Sequence, residues 1–109
     1  MASTTRYTHP VYGTVTIHWR STWAGRLGGT NNCVTPTAHD IYVNAAAITQ
    51  DTLAHEYGHI LDARRLGWRY LPWIIWCRLA YGFEKSPAEL RAGAFKDAHW
   101  QEFTALAEQ

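Results

Sequence analysis

The ten residues Leu53 to Asp62, reading LAHEYGHILD, constrain this chain more than any other stretch. Leu53, Tyr57, Ile60 and Leu61 recur at helical spacing, while His55, His59, Asp62 and Leu66 fall on a second stripe. That pattern predicts a helix, starting about Ala46, of which one face packs and the other works. His55 and His59 stand one turn apart, so their imidazoles can grip a single metal ion. Glu56, beside the first histidine, can lean over a metal-bound water without joining the coordination shell, as a general base must. Gly58 is costly inside a helix and is better explained by the close approach of another backbone. Gly67 supplies a helix stop. An amphipathic helix with both histidines turned to solvent satisfies the same pattern and holds no metal.

The 109 residues make one domain, 1–109, so any site must draw on most of the fold. Hydrophobic residues at 47% and charged residues at 17% describe a globular chain. With a net charge of +1 and no basic cluster, no nucleic-acid partner is expected. The start, MASTTRYTHP, has no basic and then apolar run of the secretory kind, so export by that route is not expected and the location reads as cytoplasmic or unknown. The apolar stretch Leu71 to Phe83 is interrupted by Arg78 and falls short of the roughly 20 residues of a membrane span. Cys33 and Cys77 lack CxxC spacing and read as two reduced, partly buried thiols, or as a pair in an oxidising compartment.

Residues 11–19, VYGTVTIHW, alternate like a half-buried strand. Ser21 to Thr37 is rich in Gly, Asn and Pro and reads as a long loop or loose hairpin, either bordering a cleft or an ordinary surface excursion. DIYVN, residues 40–44, suits a second strand. Its place before the motif helix is where an edge strand would present an extended peptide. Trp68 to Phe83 holds three of the six tryptophans, with Pro72 dividing an irregular start from a short helix over 73–81. Such aromatic density usually means core. The sharper alternative is an exposed hydrophobic contact surface over 68–83. Ser86 and Pro87 open a last helix reaching about Ala107, its apolar side built from Leu90, Ala94, Ala98, Phe95, Phe103 and Leu106.

Two histidines need a third protein ligand. An HExxHxxGxxH extension fails, because Asp62 and Arg65 occupy the further positions. Asp62 suits a supporting or surface carboxylate. Glu89, thirty residues beyond His59 in SPAELRAGAF, is the better candidate. It has a rival explanation: Ser86 to Glu89 also fits a capping box, in which the glutamate turns back to the backbone of its own cap. If Glu89 caps, Glu84 is the substitute ligand.

HExxH followed by Glu89 and Ala92 resembles the gluzincins, zinc metallopeptidases whose third ligand is a glutamate on a later helix. The resemblance covers roughly residues 40 to 95, and the chain is similar in size to the smallest members. Gly93 departs from it, since the family places there an acidic or amide residue that supports the first histidine. The resemblance implies an α+β, zincin-like fold: a small N-terminal antiparallel sheet, the HExxH helix and a C-terminal helix bearing the glutamate. It implies Zn2+ held by His55, His59 and Glu89, with Glu56 as general base in hydrolysis of a peptide or protein substrate, by an endopeptidase rather than an exopeptidase. Tyr81, Tyr42, His39 and His99 are candidate donors to the transition state. A second reading is a zincin-fold interaction or assembly module without turnover, of the kind phages and mobile elements encode, with the aromatic segment as its contact surface.

Overall fold

The computed structural model describes residues 3–27, 32–82 and 85–108. Strands β1 (Thr4–His9) and β2 (Gly13–His18) form an antiparallel hairpin. Helix α1 (Thr22–Leu27) and the short strand β3 (Cys33–Val34) follow, and then β4 (Asp40–Val43). The sheet order is β1-β2-β4-β3. The fold is α+β, yet the sheet is mixed rather than purely antiparallel, because β4 lies parallel to β2. The crossover between them, which carries α1 and β3, is long enough to return the chain in the same direction. Consequently β4 is an interior strand. The edge nearest the helices is β3, not the DIYVN strand.

Alternation along β2 and β4 sends Val15, Ile17, Ile41 and Val43 inward, where they meet Leu53, Tyr57 and Ile60 of helix α2 (Gln50–Leu66). Helix α2 begins later than its apolar period implies. Residues 47–48 form a strand, β5, paired with the C-terminal β6 (Leu106–Ala107), and Thr49 caps the helix by accepting from the Thr52 amide. Gly67, at φ 60°, ends it. The Tyr57 hydroxyl donates to the Gly13 carbonyl at 2.8 Å and ties the helix to the hairpin turn.

After a 3-10 turn over Gly67–Arg69, helix α3 spans Tyr70–Tyr81. Pro72 lies in its first turn, where its missing N–H breaks no bond, so it does not delay the helix to residue 73. The aromatic stretch is mostly not core. Only Tyr70 and Cys77 of α3 are buried, whereas Trp68, Leu71, Ile75, Trp76, Leu79 and Tyr81 are exposed. Helix α4 runs over Pro87–His99, not to Ala107. A 3-10 turn over Trp100–Glu102 then swings Phe103 into the core. Its packing face is Ala88 and Ala92, and Leu90 points outward. Ala92 is what Gly58 makes room for: a Cβ at Gly58 would stand 2.8 Å from the Ala92 Cα. Cys33 and Cys77 are both buried and unpaired.

Candidate metal centre

Helix α2 presents His55 and His59 on successive turns, their ring centroids 5.1 Å apart. The close α2–α4 contact at Gly58 and Ala92 brings Glu89, one turn earlier on α4, opposite both rings. The His55 Nε2 lies 3.1 Å from one Glu89 oxygen and the His59 Nε2 lies 2.8 Å from the other. One ligand atom from each residue lies within 4.8 Å of the others, a cluster able to hold a metal ion. The donor set fits a zinc ion, whose four ligands at about 2 Å stand roughly 3.3 Å from one another.

The competition at Glu89 resolves by division of labour. The Ser86 hydroxyl accepts from the Glu89 amide at 3.2 Å, which is half of a capping box. The other half does not form, since the Glu89 carboxylate points to the histidines instead. Burial pushes that carboxyl up, but hydrogen bonds from His55 and His59 and their charge outweigh it and lower it to about 2. For His59, burial works downward, and the bond to Glu89 with the charges of Glu56, Glu89 and Asp62 raises it on balance. The pair is a proton-sharing site of the kind a cation can take over. The His59 Nδ1 is buried with no partner among the described residues.

Glu56 is 3% exposed and does not bond to the cluster. It accepts a hydrogen bond of 2.7 Å from the Thr35 hydroxyl, just past β3. The Thr35 carbonyl in turn accepts from the Tyr70 hydroxyl at 2.7 Å. Burial raises the Tyr70 hydroxyl, and the charges of Glu56, Glu89 and Asp62 raise it further, so it stays a neutral donor. Asp62 is not a ligand. Buried on α2, it receives Arg91 through two nitrogens at 2.9 to 3.2 Å and Arg65 at 3.3 Å.

Glu56, His59 and Glu89 line one wall of a cleft of about 280 Å³. The rest of it is largely apolar, with Trp23 and Leu27 from α1, Cys33 to Pro36 around the edge strand, and Leu71, Ile74 and Ile75 from α3. The described parts of residues 21–37, which form α1 and β3 rather than a loop throughout, thus border the cleft. Burial, with the Glu56 charge as a smaller cause, pushes the Cys33 thiol far up, so it is no thiolate ligand.

None of the four expected transition-state donors lines this cleft. Tyr42 stacks on His18, Tyr81 packs against Trp76, and His99 contacts Tyr12 and Glu102 on the far side of α4. His39 is exposed in the loop before β4. Glu84 lies outside the described residues. Gly93 offers His55 no support, a Cβ there meeting nothing within 4 Å. Thr35, Tyr70 and Arg91 carry no motif and are found only through the fold. No family model matches the chain, and neither curated proteins nor solved structures give a match.

Proposed function

We propose that the protein is a gluzincin-type zinc metallopeptidase with a zincin-like fold, acting as an endopeptidase. The observation that carries this reading is the convergence of His55, His59 and Glu89 on one point, with the buried Glu56 beside them on a cleft. When bound there, zinc supplies a Lewis acid that acidifies a water and polarises a carbonyl. As ligands, His55 and His59 would turn to the ion the Nε2 atoms that now face Glu89. Glu56 takes a proton from the attacking water and returns it to the leaving amine. Thr35 bonds to one Glu56 oxygen and leaves the other to handle that proton. The apolar cleft wall orients a substrate side chain while β3 offers an extended segment an edge to pair with.

Glu56→Gln is expected to keep stoichiometric zinc and to abolish cleavage of a peptide library, and His55→Ala to lose the metal. Unchanged proteolysis by Glu56→Gln would sink the mechanism. One observation favours the second reading, a metal-holding module without turnover: the open space at Gly93 leaves His55 without the family's supporting residue. Zinc bound at one equivalent with no cleavage of the library by the native chain would select that reading.

A further inference from the structure

Helix α3 and the turn before it display a stripe of large apolar side chains. Trp68, Leu71, Ile75 and Leu79 recur at helical spacing along one side, Trp76 stands beside Ile75, and both end residues, Trp68 and Leu79, are 84% exposed. At 1.5 Å per residue the stripe runs roughly 16 Å. No helix among the described residues is long and apolar enough to cross a membrane, so α3 can only lie along one.

The charges around the stripe are mainly cationic. From Ala63 to Lys85 the chain has Arg64, Arg65, Arg69, Arg78 and Lys85 against one acid, Glu84. Arg64 and Arg65 turn back into the fold, to the Tyr12 carbonyl and to Asp62. Arg69, exposed at the start of α3, has no ion pair among the described residues, and Lys85 is exposed just beyond its other end. Anionic lipid suits every element: tryptophans settle at headgroup level, aliphatic side chains enter the acyl boundary, and cations meet phosphates.

We propose that α3 docks this domain flat on the surface of an anionic bilayer. Leu71 and Ile75 belong both to the stripe and to the cleft wall, so the cleft opens along the lipid surface. If the peptidase reading holds, and only this consequence rests on it, the substrates are segments lying at that surface.

The test is sedimentation of the full chain with phosphatidylcholine vesicles, with and without roughly one-third phosphatidylglycerol, reading tryptophan emission on the same samples. The protein is expected to pellet about tenfold more tightly with the anionic vesicles, with a blue-shifted emission and a loss on adding salt. Arg69→Glu should lower the anionic preference. Leu79→Glu, at an exposed position, should weaken binding about tenfold with unchanged circular dichroism, and the uncharged Leu79→Ser should weaken it severalfold. Protein that stays in the supernatant with both vesicles overturns the proposal, as does a dimer in light scattering that Leu79→Glu dissolves. Neither zinc nor a substrate enters the measurement, so its failure is separate from failure of the peptidase reading.

Discussion

Helices α2 and α3 are neighbours in sequence and opposites in environment. Helix α2 buries Glu56, His59 and Asp62, while α3, far more apolar, exposes Leu71, Ile75, Trp76 and Leu79. Hydropathy alone would have exchanged them. Glu56 and Asp62 of α2 are buried because α3, α4 and the β3 edge close over the working face, and each finds a donor, Thr35 for Glu56 and Arg91 for Asp62, while Glu89 of α4 meets the histidines. The stripe of α3 stays outside because the remaining core volume is already filled by Trp19, Phe103 and the sheet. Polarity inside and apolarity outside are the two departures on which the proposed cleavage site and the proposed lipid contact rest.

Metal removal should give the sharpest contrast. In chelator-treated protein Glu89, lowered from 4.5, contributes stability that is present above its ordinary value and lost as pH falls toward 2. His59, raised from 6.5, contributes stability that is present below that value and lost as pH rises through its folded pKa. Zinc held by His59 would compete with its proton, so the stabilising effect of the ion should grow as pH rises from 6.5 through the folded pKa of His59. It should reach about 4 kcal/mol at a thousandfold excess over Kd. Thermal melts with and without chelator check this, and a pH-independent increment would detach the ion from the histidines.

Packing comes next. Gly58→Val forces side-chain atoms into the Ala92 backbone and should cost about 3 kcal/mol in urea unfolding, with loss of zinc. Thr35→Val strips a buried carboxylate of its donor and should cost about 2 kcal/mol, with Thr35→Ser recovering most of it. Asp62→Asn should cost about 1 kcal/mol, since the half-exposed Arg91 can turn to water. On α3, Leu79→Gln should change stability by no more than about 0.5 kcal/mol. A loss there comparable to that at Thr35 would mean that the stripe is core after all.

The sequence-level reading reached furthest where one local pattern carried the information. His55, Glu56 and His59 follow from helical spacing, Gly58 from its cost inside a helix, and the start of α4 from Ser86 and Pro87. It failed where the outcome depends on what covers what. The strand β1, TTRYTH, has too few apolar residues to declare itself and forms because the hairpin with β2 supplies its partner. The polarity of α3's surroundings, the early end of α4 and the interior place of β4 are set by distant elements. Thr35 is invisible in sequence, because a threonine beside a proline carries no chemistry until Glu56 is brought to it.

Glu89 reaches the histidines through the side-by-side seating of two helices, not through the segment that connects them. The exposed positions of α3, such as Ile75, Trp76 and Leu79, can therefore change without moving the three residues of the cluster, so long as Gly58 and Ala92 still meet. The outer face of α3 is in this sense a replaceable part, and its exposed side chains could be exchanged while Tyr70 and Cys77 keep the helix seated on the same cluster.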